Sequence, residues 1–215
     1  MNEERLFTDE ELEAMGARTL DVLLEAIEAG DGEKAAGLAK RMYAEFLGMH
    51  DFYRDWLTDL FSHIGREFGD EPLARAMEET IARFSRRLGP RYHGKSPRRR
   101  MEVLMTGLRG HLHPLKIEED NEKFTLIPEV CASGGRQVTD GLYDEPEGLL
   151  RIKVPQPMTF NQPDFPVYCI HCYFGNYVPL NEDGSPMFIC EPSEDPGHQP
   201  CRLTIEKKGV WVEES

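Results

Sequence analysis

Within Tyr168-Cys169-Ile170-His171-Cys172, two thiols and an imidazole occupy four consecutive positions of a chain that has five cysteines in 215 residues. A Cys-x-x-Cys pair can close two ligands onto one ion from a single tight loop, and tetrahedral zinc sites are commonly started this way. The remaining thiols, Cys131, Cys190 and Cys201, lie in the same half, and the first 130 residues contain none. A zinc ribbon would close with a second Cys-x-x-Cys. Here Cys190 follows Cys172 after 17 residues and Cys201 follows after ten more. The expected ligand set is therefore Cys131, Cys169, Cys172 and Cys201, or a set in which a histidine replaces one thiol. Thiolates suit zinc, which is borderline-soft and has no geometric preference that conflicts with a tetrahedral loop site. The competing reading is ordinary burial, since a free cysteine packs as a small hydrophobe.

Two nearby stretches carry further chemistry. Cys131-Ala132-Ser133-Gly134-Gly135-Arg136 combines a thiol, a hydroxyl, two conformationally free glycines and a guanidinium. Backbone amides beside an arginine hold carboxylate or phosphate well, so Ser133, Gly134, Gly135 and Arg136 are candidate substrate-binding residues. The plainer alternative is a glycine turn with a solvent-facing arginine. In Gly110-His111-Leu112-His113-Pro114, an extended backbone would turn His111 and His113 to one face. These two histidines and His171 are candidates for moving protons, because an imidazole titrates near neutrality. Their alternative role is capping at a helix end.

The rest of the chain must position these groups. Thr8-Asp9-Glu10-Glu11 is a capping box, opening a helix expected to run to Ala29 and stop at Gly30. A second is expected from Asp31 to Leu47 and a third from Met49 to Phe68. In the third, Phe52, Trp56, Leu60, Ile64 and Phe68 form one apolar stripe. His50, His63 and Glu67 fall on the same arc and read as satisfied core or boundary groups. A fourth helix follows Gly69-Asp70-Glu71-Pro72 and ends near Leu88, and a fifth runs from Ser96-Pro97 to Gly110. After Gly110 the period shortens. Leu115–Glu118 and Lys123–Ile127 flank a polar turn in the manner of a β-hairpin. Leu149–Val154, Phe165–Tyr173, Pro186–Cys190 and Arg202–Lys207 read as short strands among dense Pro and Gly. Loops of that kind need a brace other than a large core, and a metal would serve.

Composition sets the outer limits. A net charge of −14 argues against broad affinity for nucleic acid. Arg83 to Arg100 nevertheless holds eight Lys or Arg and no acid, which reads as a solvated helix end and linker or as a strip for docking anions. No apolar run approaches the roughly 18 residues of a membrane helix. The acidic N-terminus lacks the pattern of a secretory signal. An odd cysteine count fits a reducing cytoplasm better than a disulfide framework. Phosphate-loop, dinucleotide-turn, nucleophile-elbow and zinc-helix motifs are all missing from the sequence.

The expected fold is α+β, with a helical bundle of five helices over residues 1–95 and an irregular antiparallel β portion over 96–215, organised around zinc or continuous with the bundle. The leading functional expectation is a cytoplasmic zinc enzyme acting on a small anionic molecule, of hydrolase or lyase type. The alternative is a non-enzymatic module in which zinc staples the loops and the helical half or the basic strip binds a partner protein or an RNA; the partners expected are a small anionic substrate and a homo-oligomer or protein partner.

Overall fold

The computed structural model describes residues 6–110, 114–144, 148–177 and 186–207. Among them the fold is α+β, with seven α-helices and a small antiparallel sheet. The chain divides into two compact units, Met1–Arg54 and Asp55–Ser215. No helix among the described residues is long and apolar enough to cross a membrane.

The first unit holds α1 (Asp9–Gly16), α2 (Thr19–Glu28) and the start of α3 (Gly32–Phe68). Thr8 forms the capping box, accepting from Glu11 N while its own amide donates to the Glu11 carboxylate. The helix expected to reach Ala29 is instead two, because Ala17 and Arg18 are both extended. No residue of α1 is buried, so no packing holds it in line with α2. Arg18 then pairs with Asp21 through two contacts of 2.7 Å. After α2, Gly30 takes a left-handed φ of 72°, and the Asp31 carboxylate caps α3 by accepting from Lys34 N at 3.0 Å. The expected stop near Gly48 does not occur. A helical glycine costs only about 1 kcal/mol against alanine, and the helix formers around it carry α3 through 37 residues.

In the second unit α3 faces inward with an unexpected side. Its buried positions are the polar Thr58 and Ser62, whereas Trp56, Leu60 and Phe68 are 63%, 49% and 64% exposed. The polar face is used because it ties down a loop. Ser62 Oγ donates to Thr58 O at 2.8 Å and accepts from Leu150 N at 2.9 Å. Gly65 lets the Leu150 side chain press against the helix where a Cβ would collide with it. After α3 the chain continues into α4 (Asp70–Leu88) and then α5 (Pro97–Arg109).

Two cores organise this unit. In the larger, Leu73 and Met77 of α4 pack with Val138, Ile152, Phe165, Val167, Ile170 and Phe174. These come from α6 (Gly134–Thr139), the two-stranded pair β3 (Arg151–Ile152) and β4 (Phe165–Pro166), the 3-10 turn Val167–Cys169, and α7 (Ile170–Tyr177). In the smaller, Met101 and Leu104 of α5 cover Leu126 and Ile205. Those lie on a four-stranded antiparallel sheet of β1 (Leu115–Glu119), β2 (Lys123–Pro128), β5 (Ile189–Glu191) and β6 (Arg202–Glu206), in the order β1-β2-β6-β5.

The stretch Phe165–Tyr173 departs most from expectation. Only Phe165 and Pro166 are strand; a 3-10 turn over Val167–Cys169 leads directly into α7. Val167, Ile170 and Phe174 are the buried positions, a spacing of three and four that marks a helix within a continuous apolar run.

Ser62 gives a direct test of the polar seam on α3. Ser62→Ala removes the acceptor of the Leu150 amide, and leaving such a donor unsatisfied costs about 1–3 kcal/mol. Urea unfolding should show that loss with an unchanged m-value.

Candidate metal centre

All five cysteines converge, and each arrives from an identifiable element. Cys131 precedes α6, and its carbonyl accepts from Arg136 N at 2.9 Å. Cys169 and Cys172 stand three residues apart at the start of α7, so they share a face. Cys190 lies on β5 opposite Leu203, and Glu191 lies opposite Arg202. Continuing that register by one pair places Cys201 on the same sheet face as Cys190. None of the five is in a disulfide.

Helix and sheet are joined at this point by one side chain. Asn176, one turn after Cys172, donates to Cys190 O at 2.8 Å and accepts from Cys190 N at 2.7 Å. The amide thus replaces a missing neighbouring strand and holds β5 against α7. Glycines bring α6 equally close. A Cβ on Gly134 would stand 2.7 Å from Cys169 Sγ, and one on Gly135 would stand 2.9 Å from Cys131 Cβ. The loop before Cys201 presses on α6 from another side. Gly197 holds a φ of +101° there, and a Cβ on it would lie 2.7 Å from Val138 Cβ.

The electrostatics are those of thiols crowded together, with the positive charge of Arg151 opposing the rise at Cys169 only as the smallest contribution. Burial raises Cys169 well above the ordinary thiol value, and Cys131, Cys201 and Cys190 add to that. Cys190 is raised by its hydrogen bond with Cys172, although its bond with Cys201 acts the other way. Cys201 is raised by its hydrogen bond with Cys190 and by burial. Cys172 feels its bond with Cys190 pulling it down, yet burial and the thiols of Cys169, Cys131 and Cys201 leave it raised. The cluster therefore favours the protonated state until a cation enters. Among the described residues, no three His, Cys, Asp or Glu side chains already stand at the spacing of a closed metal site. The thiols are gathered, and binding an ion would require them to draw closer.

The other candidate residues fall around this cluster unevenly. His171 Nδ1 meets Tyr168 O, which can only accept, so Nδ1 carries the proton and Nε2 offers a lone pair. That Nε2 stands 3.5 Å from Cys172 Sγ. Tyr168 packs edge-on against the imidazole, with centroids 4.7 Å apart. Burial pushes its phenol up to about 12, against a hydrogen bond with Ser133. Ser133 is itself buried. Gly134 and Gly135 turn their open faces to the thiols, and Arg136 lies 3.9 Å from Asp140. His111 and His113 lie outside the described residues.

Two contributors were not singled out from the sequence. Cys190 was counted among the thiols but left out of the ligand set, and Asn176 was not considered. The spacing Cys172–Asn176, one helical turn, would have been the signal for the second, but it requires knowing that the segment is helical. A buried network also fixes α6. The amide nitrogen of the fully buried Gln137 donates to Asp55 at 2.9 Å and to Thr58 at 2.8 Å, while its oxygen accepts from Tyr143.

No family model matches this chain, and neither a curated protein nor a solved structure is similar enough to count as a match.

Two outcomes follow from this geometry. Asn176→Ala should release β5 from α7, costing about 1–3 kcal/mol and speeding hydrogen exchange at the Cys190 amide. The raised thiols also set a pH dependence for chelated protein. Groups whose folded pKa lies above the unfolded value contribute stability below the unfolded value and lose it as pH rises. Chelated protein should therefore melt progressively lower between about pH 8 and pH 10, measured by calorimetry against a zinc-loaded sample.

Proposed function

We propose that the five-thiol cluster is a structural zinc centre and that the protein is a zinc-stapled binding module. The observation that carries this reading is the surplus of donors. Five thiols converge where tetrahedral zinc takes four, which leaves no position for water or substrate. The donors come from separate segments: the loop before α6, the start of α7, strand β5 and the residue before β6. Cross-linking those segments is the brace that short strands and long loops require. Cys131, Cys169, Cys172 and Cys201 are the ligands, and Cys190, hydrogen-bonded to Cys172 and Cys201, supports them. A zinc ion would supply the positive charge that lets these buried thiols ionise. A reducing cytoplasm would keep them available.

A second reading is favoured by His171. Its Nε2 lone pair beside Cys172 Sγ is the arrangement by which an imidazole draws a proton from a thiol. In this reading the protein is a zinc enzyme of hydrolase or lyase type acting on a small anionic molecule. Arg136 with Ser133 and the Gly134 and Gly135 amides would hold the anion, and His171, with His111 and His113, would move protons.

Metal analysis decides first. Purified protein should carry about one zinc per chain. Ser substitution at Cys131, Cys169, Cys172 or Cys201 should abolish zinc and lower Tm, while Cys190→Ser should keep the ion. If no single cysteine variant loses metal, the zinc centre is wrong in both readings. Arg136→Ala and His171→Ala then separate them. Under the structural reading both variants keep zinc and Tm and change nothing else. Loss of binding or turnover of a small anion at unchanged Tm would establish the enzymatic one.

A further inference from the structure

An open sheet has two edges, and each presents backbone N–H and C=O groups that another strand can take up. Here the edge strands are β5 and β1. Asn176 closes the first by bonding to the Cys190 peptide. Which groups β1 turns outward follows from the phase of its hairpin. Asp120 N donates to Lys123 O at 3.1 Å, and the pairing runs without a bulge from there to Leu115 opposite Pro128. Hydrogen-bonded and non-hydrogen-bonded pairs alternate along an antiparallel ladder. Lys116 and Glu118 therefore bond to β2, while Leu115, Ile117 and Glu119 direct their N–H and C=O away from it. Those outward groups meet no partner among the described residues. Every residue of β1 after Leu115 is exposed, Ile117 to 46%.

Charges on an edge strand ordinarily deter another strand, but on β1 their order does the reverse. Lys116 and Glu118 flank Ile117 symmetrically, with side chains 70% and 50% exposed. A second β1, turned about a two-fold axis through Ile117, sets Lys116 of each copy opposite Glu118 of the other. Ile117 then faces Ile117, and Leu115 faces Glu119, which keeps Lys207 as its own ion-pair partner. Moving the axis by one residue would put Lys116 on Lys116 or Glu118 on Glu118, and like charges directly opposite are destabilising. The register that opposes unlike charges is also the one that pairs all five residues of the strand.

We propose that β1 is a homodimerisation strand, pairing antiparallel with β1 of a second copy about Ile117 and joining two four-stranded sheets edge to edge. Each opposed pair of outward residues exchanges both of its N–H···O bonds across the axis. The self-complementary charge order selects a second copy, since Lys-Ile-Glu read against itself leaves no charge facing its like. Ile117 lies opposite Leu126, so contact between the two Ile117 side chains extends the smaller core. Five residues a side are far fewer than the roughly 20–30 of a standard interface. The dimer is therefore reversible and fills as concentration rises. It forms whether or not the thiols hold a metal.

Sedimentation equilibrium of the full chain over a concentration series should move from the single-chain mass of 24.6 kDa toward twice that value. Lys116→Glu alone and Glu118→Lys alone each oppose like charges twice across the axis. Either should raise the dissociation constant at least about tenfold. Mixing the two variants opposes unlike charges again and should restore a dimer, which also shows that both variants fold. Hydrogen exchange resolved by residue gives a second measurement. The Ile117 amide should be protected only at high concentration, and the Glu118 amide at every concentration. A single-chain mass throughout, a dimer indifferent to both variants, or variants that stay apart when mixed overturns the proposal. So does an Ile117 amide protected equally at every dilution, which would mean that something other than a second copy covers the edge.

Discussion

The grip of Asn176 on the Cys190 peptide is the contact on which the arrangement of the second unit turns. A strand of three residues, Ile189–Glu191, has too few ladder bonds to hold a sheet edge by itself. The Asn176 amide presents a donor and an acceptor in the pattern of a backbone peptide, so β5 is paired on both sides, by β6 and by a helix. Through that join, the core under α4 and the core under α5 are brought to a common seam. The thiols are at the seam because that is where the segments meet.

Such a seam holds its thiols in the protonated state. Several thiols packed out of water suppress one another's ionisation, and each contributes little more to packing than a small hydrophobe. Ordinary core residues would have filled the space better. Placing all the cysteines of the chain there makes sense if a cation completes the structure, converting mutual repulsion into shared ligation. Glycines at 134 and 135 serve the same end, since they remove the side chains that would keep α6 away from Cys169 and Cys131.

Much of this was legible in the sequence, and the failures have physical causes. The Thr8 capping box, the hairpin at Leu115–Pro128 and the strands near Cys190 and Cys201 follow local rules, and local rules sufficed for them. The gathering of Cys131, Cys169, Cys172 and Cys201 followed from clustering of residue type. Helix breaks were misread because Gly48 and Ala17 carry opposite lessons. A glycine does not end a helix whose flanks favour it, and an alanine does not preserve one that nothing packs against. Cys190 and Asn176 were invisible as a pair because Phe165–Tyr173 resembles a strand by composition, and only tertiary packing makes its second half a helix.

The apolar stripe of α3 shows a deeper limit of pattern reading. Periodicity identifies a face that must be covered, but it does not identify the cover. Phe52, Trp56 and Leu60 lie on one face as the sequence implies, yet α3 turns Thr58 and Ser62 inward, because the half-buried Leu150 amide and the buried Gln137 side chain need acceptors, and the Ser62 and Thr58 hydroxyls respectively answer them. A helix with polar groups bonded inward and aromatic groups outward is stable within one chain only at the cost of exposed apolar area. Burying a large side chain is worth about 1.5–3 kcal/mol, so several of them left in water represent a driving force comparable to the stability of a domain. The sequence supplies that surface in both compact units.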